Sequence, residues 1–334
     1  MYINIRFLYV VIIICNVETM ENNKNNNNKN NKNNNNNKNK YNLKAQPIKT
    51  KYITKNDDFV IETINSLKRE IKNNNISLNN GDIIVLSEKF VSTSENNLVD
   101  EQNVNPSLLA YFCYYWSKYL WGYILGPLLK TRKNRIENLK KMPKLETVKH
   151  KQVIIDNVGL IYALKPASEG GVDLTNVPGS YASLLPKNPK KSAKKVYNAI
   201  KEEFGKETIV IIIDTDATYK FYKWYVTALP IAINGIMSKI GVIGYIIGRL
   251  GDVLGVGGLC GATPLAIVGN EKYLKNYSLE KLLYISELAD KSQVPFVKSI
   301  HDIMKEHNTF ELTEDILSKA NHTPIVLIKE ENKK

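Results

Sequence analysis

Apolar residues recur at Phe59, Val60, Ile64, Leu67 and Ile71 with polar residues between them, the spacing of one helical face. With Asp57 and Asp58 near its start, the pattern predicts a helix over 56–73. Asn79–Asn80–Gly81 then reads as a turn. The short apolar run Ile83–Leu86 reads as a buried strand that delivers Ser87, Glu88 and Lys89 to a loop at its end. Loops that follow strands are where binding and catalytic groups concentrate. VIIIDTD at 210–216 has the same form, an apolar run ending in Asp214, Thr215 and Asp216. A helix is predicted after Ser278, over 278–290, with Leu282, Leu283, Ile285 and Leu288 on its apolar side. Another is predicted over 294–307, and Thr323–Ile328 reads as a final strand. Strands and helices mix without a strict βαβα rhythm, which favours an α+β fold over a doubly wound one.

Two stretches are apolar over a much greater length. Residues 108–129, LLAYFCYYWSKYLWGYILGPLL, and 226–248, VTALPIAINGIMSKIGVIGYIIG, both meet the length of a membrane span. Each carries a lysine near its middle, Lys118 and Lys239, which is costly in hydrocarbon. The reading taken is a soluble, cytoplasmic protein in which both stretches belong to the core or to a dimer interface. Membrane insertion is the alternative. Residues 241–269 hold nine glycines, including GVGGLCG at 255–261. That run is not a dinucleotide fingerprint, and no P-loop motif occurs anywhere. Close backbone packing, or a loop over a ligand, is expected there.

Composition narrows the folded part. Residues 22–40 are almost purely Asn and Lys with no apolar side chain, and such a run cannot offset its ordering entropy by burial. Residues 1–45 are therefore read as a disordered tail and 46–330 as one large domain. FLYVVIIIC at 7–15 resembles the core of a signal peptide, but no small-residue cleavage site follows, and Met20 offers a second start. The net charge is +13, and residues 1–50 contain eight Lys/Arg against two Glu. The rest of the surplus clusters at Lys130–Arg135, Lys140–Lys149 and Lys187–Lys195. No recognisable nucleic-acid motif accompanies these clusters, so no nucleic-acid partner is expected. Cys15, Cys113 and Cys260 are odd in number and unpaired in spacing, which suits reduced thiols. His150, His301, His307 and His322 form no metal-binding pattern and read as surface or loop residues.

Chemistry concentrates in three segments: GDIIVLSEKF at 81–90, GGVDLTNVPGSYASLLP at 170–186 and VIIIDTD at 210–216. The middle one adds Asp173 and Asn176. A lysine offers a point charge for phosphate, and separated aspartates are hard oxygen ligands for Mg²⁺ or Mn²⁺. Each segment alone has a plainer reading. Ser87–Lys89 could be ordinary surface at a strand end, and Asp173, Asn176, Asp214 and Thr215 could cap helices or shape turns. No Ser/His/Asp or Cys/His arrangement suggests covalent catalysis through the protein.

The three segments, in this order, resemble the coenzyme F420-0:L-glutamate ligase (gamma-glutamyl ligase) family. GDIIVLSEKFVS is similar to that family's strand ending in lysine and then Val-Ser, GGVDLTNVP with LLP to its Asp-x-Ser/Thr-Asn segment, and IIIDT to its Asp-Thr dipeptide. The resemblance implies a GTP-dependent ligase of α+β fold, with a mixed sheet, helices and two intertwined subdomains, usually a homodimer. It implies Mg²⁺ or Mn²⁺ as cofactor, with K⁺ as a further ion, and F420-0, L-glutamate and GTP as small-molecule partners. Asp173, Asp214 and Thr215 would match metal ligands; Ser87, Glu88, Lys89 and Asn176 would match nucleotide contacts; Lys89 and Asp214 would be catalytic. The implied chemistry phosphorylates a terminal carboxylate, and glutamate's amine then attacks the acyl phosphate. This chain departs from the family where DATYKFYKWY stands in place of an Arg/Trp-containing segment, in its glycine-rich 251–269, and in its aromatic 108–129. A non-catalytic or membrane-associated paralogue that keeps the scaffold is the alternative.

Overall fold

Residues 41–167, 169–174, 177–296 and 312–331 are described by the computed structural model of the chain. Strand β1 (Leu43–Thr50) begins inside the range expected to be tail, and its last partner in sequence is β9 (His322–Glu330), with which it runs antiparallel. β9 pairs antiparallel with β2 (Ile83–Ser87), which pairs in parallel with β5 (Ile209–Phe221). β5 is long, 13 residues. Its first half lies against β2 and its second against β6 (Trp224–Thr227), which is flanked by β7 (Ile236–Met237). β8 (Gly257–Gly269) runs antiparallel to β5 over its whole length. These seven strands form one mixed sheet, and β3 (Leu98–Asp100) and β4 (Tyr181–Ser183) form a small second one. The architecture is α+β, as expected.

The unbroken apolar runs in β2 and β5 follow from burial on both faces. Ile84, Leu86, Val210 and Ile212 pack beneath helices α1 (Phe59–Lys72) and α7 (Pro189–Phe204). Ile83, Val85, Ile209, Ile211 and Ile213 point the other way, toward α9 (Leu279–Gln293). Local signals set the helix ends. The Asp58 carboxylate accepts from the Val60 and Ile61 amides at 2.7 and 3.2 Å, so α1 starts at Phe59. Asn188 caps α7 ahead of Pro189, and Ser278 caps α9.

Several expectations change. Glu88 and Lys89 are not in a loop: they form the first turn of helix α2 (Glu88–Ser94) directly after β2. The stretch 226–248 is not one element but the end of β6, a turn, β7 and the start of α8 (Val242–Leu254). Residues 241–269 are that helix followed by β8, with no ligand loop. Their glycines allow close packing: a Cβ on Gly248 would lie 2.3 Å from the Tyr219 ring, and one on Gly257 would lie 1.9 Å from the Lys220 carbonyl oxygen. The stretch 108–129 is helical, α3 (Leu108–Tyr115) running into a π-helix at Trp116–Leu125. Ala110, Tyr114 and Trp121 on one side join a core with Leu139 of α4 (Lys133–Lys141), Val148 of α5 (Lys144–Asn157) and Tyr245. Among the described residues no helix is long and apolar enough to cross a membrane. Of the helix expected at 294–307, only a 3₁₀ turn at Val294–Phe296 falls within the described residues, and His301 and His307 lie outside them.

Candidate functional site

Parallel strands gather their carboxyl ends on one side of a sheet, and ligands bind there in open α/β sheets. β2 and β5 are such a pair. Their register sets Ser87 across from Ile213, so Glu88 and Asp214 follow side by side. At that point β5 departs from its ladder with β8. Asp214 pairs with Thr263 and Ala217 with Ala262, which leaves Thr215 and Asp216 as two extra residues. Bulges of this kind re-aim side chains. The bulge is held from within. The Asp216 amide donates to Asp214 Oδ1 at 2.6 Å, and the Thr263 hydroxyl donates to the Asp216 carbonyl at 2.5 Å. Thr218 and Thr227 complete a buried hydroxyl cluster around Thr263, at 2.8 and 3.4 Å. Asp214 is thereby buried, Asp216 is half-buried and Thr215 is exposed.

Asp173 reaches this place by a tight turn. Gly170 and Gly171 have φ of 64° and 79°, in the left-handed region, and a Cβ on Gly171 would lie 2.6 Å from Leu185. Beyond the turn the Asp173 amide donates to the Ser183 carbonyl at 2.9 Å, and the Ser183 amide returns a bond at 2.7 Å. β4 is in turn held by β3 and by the Asn97 side-chain amide, which donates to the Leu185 carbonyl at 2.6 Å. The segment therefore wraps around α2, and the Asp173 carboxylate meets the Lys89 ammonium at 2.6 Å. Ser87, Glu88, Lys89, Asp173 and Asp214 are brought together; Asn176 lies outside the described residues.

The site is dense in charge. Burial, then the Asp173 charge, pushes the Glu88 carboxyl up to about 7, with Lys89 opposing. Burial, followed by Glu88 and Asp216, raises the Asp214 carboxyl well above the ordinary range. Burial alone would lower the Lys89 ammonium, but Asp173 and Glu88 outweigh it and hold the group above its usual value. Asp290 of α9 is pushed up to about 7 by burial and by Glu287 and Glu88. Lys165 pairs with Asp216 at 3.0 Å. Neither Lys165 nor Asp290 stood out in the sequence: each sits in a segment with no motif, and only the fold gives it a charged neighbour. As the side chains stand, no group of three or more His, Cys, Asp or Glu among the described residues is arranged to hold a metal ion. The donor set nonetheless suits a hard divalent cation. Hard carboxylate oxygens crowd one another at Glu88, Asp214 and Asp216, and Asp173 stands one lysine away.

Beneath the site lies a second charged group, fully buried. The Lys151 ammonium donates to the carbonyls of Ala163, the last residue of α6 (Leu160–Ala163), and Lys165 at 2.7 and 2.8 Å and to Glu169 Oε1 at 2.6 Å, which uses all three of its protons. His150 is buried, contrary to its expected surface position, with Nδ1 2.6 Å from Glu101 and Nε2 3.7 Å from Glu169. Burial would lower the imidazole, but Glu101 and Glu169 prevail and push it up to about 10. Burial would raise Glu169, but Lys151 and His150 prevail and bring it down to about 2. Two cations thus face two anions. Together they fix the loop that carries Lys165 on one side and Gly170–Asp173 on the other.

The fold and site define an α+β protein with lysines and crowded carboxylates at the ends of two parallel strands. Comparison with known proteins gives this class a family. The family model for F420-0:gamma-glutamyl ligase matches residues 47–280, and the chain belongs to that family of ligases. An uncharacterized protein of Methanocaldococcus jannaschii, MJ1361, is 54% identical over 287 residues, covering 86% of this chain and 96% of that protein. The coenzyme F420:L-glutamate ligase of Methanothermobacter thermautotrophicus is 29% identical over 142 residues, 40% of this chain and 48% of the ligase. The coenzyme F420:L-glutamate ligase of M. jannaschii is 27% identical over 173 residues, 48% of this chain and 57% of that ligase. The matched part thus spans about half the length of either named ligase.

Proposed function

We propose that this chain is a GTP-dependent amide ligase that joins L-glutamate to a carboxylate through an acyl phosphate, with F420-0 as the first acceptor to test. The observation that carries this reading is the convergence of three segments far apart in sequence. They place Lys89 and Asp173 beside Glu88 and Asp214 at the ends of β2 and β5. Asp173 and Asp214, with the Thr215 hydroxyl, would hold Mg²⁺ or Mn²⁺, and Asp173 would exchange its Lys89 partner to do so. Bound there, the ion supplies charge neutralisation for the triphosphate.

The chain's own groups do the rest by positioning and charge. Lys89, held charged, steadies the phosphoryl group as the acceptor carboxylate attacks it and GDP leaves. Ser87 and Glu88 stand at the start of α2, beside Lys89, where they would contact the nucleotide. Glutamate's amine then attacks the acyl carbon and phosphate departs. The amine loses a proton in that step, and Glu88, balanced near neutrality by burial, accepts it.

The test is to incubate the protein with F420-0, L-glutamate, GTP and Mn²⁺ and to read products by mass spectrometry. A gain of one glutamate coupled to GDP is the expected result. GDP without adduct would replace the acceptor, and neither product from folded protein would favour the non-catalytic paralogue. One observation favours another acceptor. M. jannaschii holds both the 54% identical relative and, separately, a named F420 ligase at 27%. The segment DATYKFYKWY, which departs from the family pattern, runs from Asp216 of the bulge into the β5–β6 hairpin, beside the candidate site.

A further inference from the structure

The helical stretch Leu108–Leu128 is amphipathic in an unusual sense: its outer face is aromatic and aliphatic. Leu108, Phe112, Tyr115, Tyr119, Tyr123 and Leu128 recur every three to five residues along that face and are 43–87% exposed. Tyr115, Tyr119 and Tyr123 stack along it with centroids 5.9 and 6.1 Å apart. An exposed apolar face of this length marks a contact surface. Its rim is basic. Lys140 lies over the Tyr123 ring at 4.4 Å, and Lys144 over Tyr111 and Tyr115 at 5.4 and 5.5 Å.

The charge distribution says what the face would meet. Residues 107–149 contain nine Lys/Arg and two Glu, a surplus of +7. Residues 51–334 as a whole carry 38 Lys/Arg and 31 Asp/Glu, the same surplus of +7. Residues 107–149 thus carry a net surplus as large as that of the whole chain beyond residue 50; Lys187–Lys195 is a further basic cluster, but acidic residues elsewhere offset it. The segment is also held firmly. The Trp116 indole donates to the Leu164 carbonyl at 3.0 Å, and Arg249 of α8 donates to the carbonyls of Leu129 and Lys130 at 2.9 and 2.6 Å.

We propose that this face lies on an anionic lipid surface, with the helix in the plane of the interface. Tyrosines and lysines flanking an aliphatic stripe are the composition of an interfacial helix, and juxtaposed lysines are drawn to anionic headgroups. A second copy of the chain would leave a +7 segment facing another. A nucleic acid would use the lysines and the tyrosine rings but gain nothing from exposed Leu108, Leu109, Ile124 and Leu128. The surface would hold the ligase site near the membrane.

The test is co-sedimentation of the full chain with phosphatidylcholine vesicles, with and without 30% phosphatidylglycerol. Binding to the anionic vesicles alone, falling as salt is raised, is expected. Phe112→Ser/Tyr119→Ser/Tyr123→Ser should weaken it about tenfold or more, as should Lys130→Gln/Lys133→Gln/Lys141→Gln/Lys144→Gln, with loss of the salt dependence. All seven side chains are exposed or on the rim, and melting curves check that both variants fold. No binding to anionic vesicles overturns the proposal. So does unchanged binding by the aromatic variant, which would move the contact elsewhere, such as the apolar 7–15. Light scattering that shows the aromatic variant splitting a wild-type dimer would assign the face to a second copy, and overturn it too.

Discussion

At the scale of single residues, the candidate site holds buried carboxyls at a cost in stability. Asp214 is buried beside Glu88 and Asp216, and its carboxyl is raised. A raised carboxyl favours the folded state at low pH, and that advantage is lost as pH rises from the ordinary carboxylate value through the raised one. Asp214→Asn has no such loss and keeps an oxygen to accept from the Asp216 amide. Free of metal and nucleotide, the variant should therefore melt above wild type at pH 7.5, with the difference closing toward pH 4. The same variant should lose metal-dependent nucleotide binding. Lys89→Ala should weaken nucleotide affinity by about 1–3 kcal/mol, the range for a lost charge-assisted contact; titration calorimetry reads it. Lys89, Asp173 and Asp214 were legible in the sequence because each stands beside a distinctive motif. Lys165 and Asp290 were not, because a lone charge in ordinary sequence gains meaning only from its neighbour in the fold.

At the scale of elements, the strands were legible and their distortion was not. Ile83–Leu86 and Val210–Ile213 are continuous apolar runs because both faces of the sheet are covered. The bulge at Thr215–Asp216 depends on the register against β8, some fifty residues away, and register is not written locally. Helix α2 was missed because it starts at once after β2, with no separate start signal. The buried His150–Glu101–Glu169–Lys151 group was missed because His150 read as a surface or loop residue and Lys151 stands just past the basic cluster Lys140–Lys149 with no motif of its own. Lys151→Met leaves Glu169 with less compensation and frees two carbonyls, so it should cost about 3–5 kcal/mol by denaturant unfolding. The imidazole of His150 is raised to about 10 against about 6.5 in an unfolded chain. Its contribution is complete below about pH 6.5 and is lost as pH climbs through about 10. Wild-type stability should fall more steeply than that of His150→Gln between pH 7 and 10.

At the scale of the whole molecule, the mixed sheet places two charged layers in series. The buried one fixes a loop, and the loop sets Asp173 and Lys165 against groups delivered by β2 and β5. The α+β class was legible from the irregular order of strands and helices. The long apolar stretches were not, because hydropathy alone does not distinguish a helix exposing one face from a strand–turn–helix such as 226–248. The central claim is that these segments form one metal–nucleotide site, and thermal melting tests it directly. Wild-type protein with excess GTP and Mn²⁺ should gain about 2–3 kcal/mol, the amount expected near a hundredfold excess over Kd. GTP alone should give a much smaller gain, and Asp214→Asn should gain nothing from the pair. Equal stabilisation of wild type and Asp214→Asn by GTP and Mn²⁺ would contradict the account.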